Sequence, residues 1–372
     1  MTTETYVLRL WCNQTDGPIV ATVRDGTVYD ITSKTAPLVS DIFEMDDPLT
    51  FVKSQSGRAV AQLDEVLSGT AKTVKLLAPC DTQAIKAAGV TFVASMVERV
   101  IEERAAGDAQ LADQIRQQVT EAIGANLKDI QPGSVLAEKA KQALMAQDLW
   151  SQYLEVGIGP DAEIFSKSQS LSAVAHGDHV GLHPMSNWNN PEPELVLAVS
   201  SKGKIIGATL GNDVNLRDVE GRSALLLSKA KDNNASCAIG PMIRLFDDEF
   251  TLDQLMQQTL TLHISGEDGF ELSETCEMSQ ISRDPRNLVT QTVGGHHQYP
   301  DGFMLFLGTP FAPTKDRGAP GMGFTHHMND VVSISTPLLG ELRNPVARSN
   351  DCPPWTFGPR ALMRNLAARG LI

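Results

Sequence analysis

The segment that most restricts how this chain can fold is NNPEPELVLAVSSKGKIIGATLGND, residues 189–213. Two apolar runs rich in Val, Ile and Leu flank Lys202-Gly203, and glycine readily takes the positive φ of a tight turn. The pattern predicts a β-hairpin. Glu192 and Glu194 begin the first run two residues apart, so in a strand both carboxylates point to one face. If the turn pairs Ser201 with Lys204, Glu192 lies opposite Asp213 and Glu194 opposite Gly211. Paired residues share a face with Cβ atoms roughly 4.5 to 5.5 Å apart. Three carboxylates then converge beside a glycine expected to leave open space. Without a cation their mutual repulsion would strongly raise their pKa values. A solvated strand end is the plain alternative for a lone Glu-x-Glu. The third carboxylate and the apolar flanks favour a hard divalent cation, for which an all-oxygen set suits Mg²⁺, Mn²⁺ or Ca²⁺.

The rest of the chain sets this hairpin in a mainly β, α+β protein. Residues 1–80 read as short strands and turns, with RDGT as a second hairpin signal, and are expected to form a small N-terminal domain. Residues 81–372 form the expected catalytic domain, with a helical insertion at about 92–150 where Ala, Glu, Gln and Leu recur at helical spacing. Pro132-Gly133-Ser134 marks a helix start there, and FGPRALMRNLAARGL a short terminal helix. The 372 residues are long enough for two domains or one large decorated one. The formal charge of −14 argues against nucleic acid or an anionic membrane as partner. It leaves room for an anionic small molecule, since a bound cation inverts the local field. The five cysteines are scattered without a CxxC pair, so a reduced, cytoplasmic setting is expected. The N-terminus has no signal-peptide pattern, and no apolar run is long enough to span a bilayer. Cys237 reads as a buried small residue. HGDHVGLH, with His176, His179 and His183, reads as a turn and strand, and His296 and His297 stay unassigned.

These motifs together resemble the fumarylacetoacetate hydrolase superfamily. The resemblance rests on Glu192-x-Glu194, on GATLGNDVNLRD with Asp213, and on Lys231 ten residues before the proline of IGP. HHQYPDGFMLFLGT (296–309) and LGELRNPV (339–346) resemble its later segments, so the likeness runs from about 85 to 346. It implies a mixed β-roll domain that binds Mg²⁺ or Mn²⁺ through the three carboxylates and chelates 2-oxo acids. It also implies a homodimer or homotetramer. Hydrolytic members carry a histidine in a segment to which GVTFVASMVE (89–98) is similar, but Ser95 stands at its place. Without that imidazole a water-activating dyad is incomplete. The segments ERVIEERAAGD, GPDAEIFSKSQSLS and SKAKDNNASCAIGP instead resemble the sugar-acid branch, which implies a dehydratase of 2-keto-3-deoxy-D-pentonate in pentose breakdown.

On that resemblance the acid–base candidates are Lys231, Glu163 and Glu98, the last readable equally as a helix-surface acid. Lys231 could neutralise an oxyanion or, with a lowered pKa, act as a base. Ser95, Lys167 and Thr309 are candidate substrate contacts; Lys167 could instead pair locally, and Arg217 is expected to brace the metal carboxylates. Two other functions remain open from sequence. One is a C–C hydrolase of acylpyruvates or 2,4-diketo-3-deoxy sugar acids; the other is a non-catalytic, metal-dependent 2-oxo-acid binding protein.

Overall fold

A computed structural model describes residues 4–92, 130–317 and 323–372. Sixteen strands are found among them: β1 (Tyr6–Cys12), β2 (Gly17–Arg24), β3 (Thr27–Asp30), β4 (Arg58–Gln62), β5 (Val74–Leu77), β6 (Ala84–Gly89), β7 (Glu163–Ser168) and β8 (Val180–Leu182), followed by β9 (Pro193–Val199), β10 (Ile205–Asp213), β11 (Cys237–Leu245), β12 (Thr259–Ser265), β13 (Glu271–Glu277), β14 (Phe303–Phe306), β15 (Val331–Thr336) and β16 (Gly340–Arg348). They make one large sheet in the order β4-β3-β2-β1-β11-β10-β9-β14-β6-β7, with β5 also on β1, and a smaller one in the order β13-β12-β15-β16-β8.

The central hairpin β9–β10 forms as its pattern dictates. Every residue of Pro193–Val199 is buried, because the strand is covered on both faces. Leu195 and Leu197 pack against Leu262, Ile334 and Leu342 of the smaller sheet. Val196 and Ala198 face the opposite way, towards Ile42, Phe43, Val52 and Phe306. The turn differs from expectation by one residue. Ser200 N–H donates to Lys204 O at 2.9 Å, which leaves three residues in the loop, with Gly203 at φ 75°. A bulge between Ile205 and Gly207 then restores the expected pairing, Gly211 opposite Glu194. A bulge absorbs one residue without moving the strand faces beyond it.

The second hairpin signal is also realised. β2 and β3 pair up to Arg24↔Thr27, with Asp25 and Gly26 both at positive φ. On its other side β1 pairs with β11 through Tyr6↔Arg244 and Val7↔Ile243, so the N-terminal strands belong to the same ladder as the hairpin. Ser134 caps the helix Val135–Ala146 by accepting from Ala137 N–H, and Pro359–Ala368 forms the terminal helix.

The large sheet curls. β7 lies four strands from β10, roughly 19 Å in a flat sheet at about 4.8 Å per strand. Yet Lys167 of β7 reaches Asp213 of β10 at 2.9 Å. The segment after β7 returns onto β11 as well, pairing Val174 with Ala238. This roll brings the far edge strand over the carboxylates of the central hairpin.

Candidate active site

Glu192, Glu194 and Asp213 each present a carboxylate oxygen within 4.8 Å of the others. All three are at most 3% exposed. Strand alternation places the two glutamates on one face, and Asp213 N–H donates to Glu192 O at 3.0 Å across the hairpin. Glu194 is aimed by a backbone donor: Gly308 N–H gives its hydrogen to Oε2 at 2.6 Å. Gly308 sits at φ 93°, and a Cβ there would overlap Thr91 Oγ1 and stand 3.1 Å from Ala88 O. Only glycine suits that conformation and approach. The space over Gly211, expected to be open, is filled: a Cβ would stand 2.8 Å from Phe306 Cζ.

Two lysines oppose the three acids in different ways. Lys231, at the end of the helix Leu227–Lys231, places Nζ 2.5 Å from Glu192 Oε2 and 3.0 Å from Asp213 Oδ2. Burial alone would lower its pKa, but Asp213 and Glu192 outweigh that effect and hold it above the ordinary lysine range. The base role that needs a lowered pKa is therefore not the one this arrangement favours; the ammonium is. Lys167 is wholly buried. Its Nζ pairs with Asp213 Oδ1 at 2.9 Å and donates to Val214 O at 3.1 Å and Lys231 O at 2.5 Å. It stands behind Asp213 and is not among the residues lining the cavity. Lys167 thus pairs locally, one of the two readings the sequence allowed, as a buried counter-charge to Asp213.

Burial, with Asp213 and Glu192 alongside, raises the Glu194 pKa well above the usual carboxylate range. Burial also works against ionised Asp213, but Lys167 and Lys231 outweigh it and keep that carboxyl below its usual range. A cluster holding one reluctant carboxylate and one stabilised one fits a divalent cation, whose charge ionises the reluctant member. The donor set is all oxygen, as Mg²⁺ prefers.

The carboxylates open into a cavity of about 550 Å³. Glu163, Thr309 and Lys231 line it, so the fold brings these three sequence candidates to the metal-type cluster. Glu163 is the first residue of β7, and Thr309 donates its hydroxyl to Phe311 O at 2.7 Å. Ser95 and Glu98 lie outside the described residues. Arg217 does not brace the carboxylates: its guanidinium lies over the Trp188 ring, 4.9 Å from the centroid. Sequence reasoning missed Tyr153, Glu220, Arg222 and Ser223, which also line the cavity. It missed Gly308 too. The LGTP punctuation was the one signal pointing there. Cys237 is buried, and burial pushes its thiol well up, in keeping with an inert core residue.

A second buried ionic group lies on the loop before β15. Arg317 binds Asp330 at 2.6 and 2.8 Å and Asp268 at 2.8 and 3.0 Å, and His326 Nδ1 is 3.1 Å from Asp330. It ties that loop to the turn between β12 and β13. Among the described residues no helix is long and apolar enough to cross a membrane.

Comparison with known proteins agrees with this architecture. The chain is 31% identical over 186 residues to a 2-dehydro-3-deoxy-D-arabinonate dehydratase of Saccharolobus solfataricus, covering 50% of the chain and 59% of that relative's length. A Haloferax volcanii protein described as a probable 2-keto-3-deoxyxylonate dehydratase is 26% identical over 326 residues, which covers 87% of the chain and 93% of the relative. A solved 2-keto-3-deoxy-D-arabinonate dehydratase in complex with magnesium and 2,5-dioxopentanoate superposes with a TM-score of 0.63 at 19% identity, over 92% of this chain and 99% of that one. A 5-carboxymethyl-2-hydroxymuconate delta-isomerase from Mycobacterium smegmatis follows at 0.55 and 18%, over 92% and 98%. At such identities the structural likeness establishes the fold. The sequence profile of the fumarylacetoacetate hydrolase C-terminal domain matches residues 145–347, more than half of the chain, and so the chain belongs to the fumarylacetoacetate hydrolase family.

Proposed function

We propose that this protein is a Mg²⁺-dependent hydro-lyase that converts 2-keto-3-deoxy-D-pentonate to 2,5-dioxopentanoate and water. The observation that supports it most is the match over 87% of the chain to a relative with that type of activity in its name, joined to a buried three-carboxylate cluster opening into a cavity beside Lys231 and Glu163. Glu192, Glu194 and Asp213 would hold the cation, and Mn²⁺ suits the same oxygen set. When bound, a divalent cation supplies Lewis-acid polarisation of a 2-oxo acid. A dication would offset two of the three carboxylates, and the Lys167 and Lys231 ammonium groups stand against the same cluster. A bound dication with the Lys231 ammonium beside it suits the carboxylate of an anionic substrate despite the acidic chain.

The remaining chemistry falls to the chain's own groups. Glu163 accepts a proton from C3 of the substrate, and Lys231 as an ammonium stabilises the negative charge that develops on the C2 oxygen. The C4 hydroxyl leaves as water with the proton returned by the Glu163 carboxyl. Tautomerisation then carries the unsaturation to C5 and yields the aldehyde. No external water needs activating, which is consistent with Ser95 at the place of the hydrolases' histidine.

A coupled assay for 2,5-dioxopentanoate tests this with the purified chain. Turnover of 2-keto-3-deoxy-D-pentonate should stop in excess EDTA and return with Mg²⁺. Full activity in EDTA, or cleavage of an acylpyruvate in place of dehydration, would refute it.

A further inference from the structure

Glu163 owes its place in the cavity to a residue on the neighbouring strand. Gly89, the last residue of β6, pairs directly with Glu163 of β7, so the two positions share a face of the sheet. A Cβ on Gly89 would overlap Glu163 Oε2 and stand 2.6 Å from Cδ and 3.2 Å from Cγ. The volume a side chain would occupy at position 89 is filled by the Glu163 carboxylate. Gly89 is not at one of the positive-φ positions of the chain, so the backbone itself does not require glycine there.

The backbone around Gly89 is pinned. Val90 sits at φ 53°, a left-handed conformation that a β-branched residue adopts only when its surroundings impose it. Thr91 supplies the anchor: its hydroxyl donates to Leu307 O at 2.5 Å, and its carbonyl accepts from Ser282 N–H at 2.7 Å and Ser282 Oγ at 2.8 Å. With the β6–β7 ladder on one side and Thr91 on the other, the strand has little freedom to retreat. The carboxylate, at the far end of a flexible side chain, is the part that can move.

We propose that Gly89 is a positioning residue: the missing side chain at 89 is the slot that holds the Glu163 carboxylate in the cavity. This rests on Glu163 being the proton-transfer group. Any side chain at 89 turns the carboxylate out of line while leaving Glu192, Glu194 and Asp213 on the β9–β10 hairpin untouched. The slot acts on proton transfer and not on substrate affinity, so it separates kcat from KM.

A double-mutant cycle with Glu163→Ala tests the coupling. Gly89→Ala alone should lower kcat on the order of 100-fold, the lower range for loss of a general acid or base. KM and the rise in Tm produced by Mg²⁺ should stay as in the parent protein. In the Glu163→Ala background, Gly89→Ala should change kcat by no more than about 2-fold, because nothing is left to displace. The stability cycle follows the same logic. Whatever Tm Gly89→Ala loses should be regained in Gly89→Ala/Glu163→Ala, even when the single variant folds poorly. Full activity in Gly89→Ala overturns the proposal, and so does an equal loss of kcat or Tm in both backgrounds. Full activity in Glu163→Ala instead sinks the proton-transfer role of Glu163, and the Tm cycle then decides whether Gly89 holds its side chain.

Discussion

Replacing Lys167 by methionine removes a buried charge without removing much volume. In the native protein that ammonium meets Asp213 Oδ1 at 2.9 Å and two backbone carbonyls, with no exposure to solvent. Removing one member of a buried ion pair typically costs about 3–5 kcal/mol, because the partner stays buried and uncompensated. Lys231 still stands 3.0 Å from Asp213, so the lower end, about 3 kcal/mol, is expected. In a chain of 372 residues that is a fall in Tm of roughly 4 °C. The size of the fall should depend on metal. A dication between the carboxylates neutralises the stranded Asp213 and is no longer repelled by the Lys167 ammonium, so Mg²⁺ should stabilise Lys167→Met more than the parent. The assay is thermal unfolding of both proteins in EDTA and in saturating Mg²⁺, followed by fluorescence or calorimetry. The gap should narrow by about 1 kcal/mol or more with Mg²⁺. A fall under about 1 °C in EDTA would mean that Lys167 is not the counter-charge described. A gap that stays the same or widens with Mg²⁺ would refute the link between Lys167 and the cation.

Two further outcomes follow from the same geometry. Glu194 has a raised pKa, so it stays protonated to higher pH than an ordinary carboxyl; a cation needs the ionised form, and affinity for Mg²⁺ should therefore rise with pH until that pKa is passed and fall below it. Calorimetric titration with Mg²⁺ in two buffers of different ionisation enthalpy should show proton release, and zero release across the acid side would contradict the shift. Gly308→Ala puts a Cβ onto Thr91 Oγ1 at a residue held at φ 93°, and should cost about 1–3 kcal/mol in urea unfolding; because Gly308 N–H holds Glu194, the variant should also bind Mg²⁺ more weakly, and unchanged affinity by calorimetry would remove Gly308 from the metal centre.

The contrast between Lys167 and Glu163 shows where sequence reasoning stops. Both sit on β7 four residues apart, and both are adjacent to family-like motifs, yet one stands behind Asp213 and the other at the cavity wall. The pleat would put residues four apart on the same face of a straight strand. A register shift between Ile85 and Lys86 opposite Ser166–Ser168 separates them. Arg217 shows the same limit, since nothing local announces that Trp188 will take its guanidinium.

The sequence by itself determined the acid cluster. Glu192, Glu194 and Asp213 come together through one hairpin, where a two-residue period and local turn chemistry decide which side chains meet, and a one-residue error in the turn was absorbed by a bulge. Tertiary structure alone decided what surrounds the cluster. Gly308 is 114 residues from the Glu194 it aims, and the Lys167 that donates to the Lys231 carbonyl is 64 residues away. Gly89 and Glu163 meet only because β6 and β7 pair across the intervening segment. The first and last of these contacts depend on which distant segments pair as neighbouring strands, and the Lys167 contact on the curl of the large sheet, a sum of strand twists and bulges over many residues that no local pattern specifies.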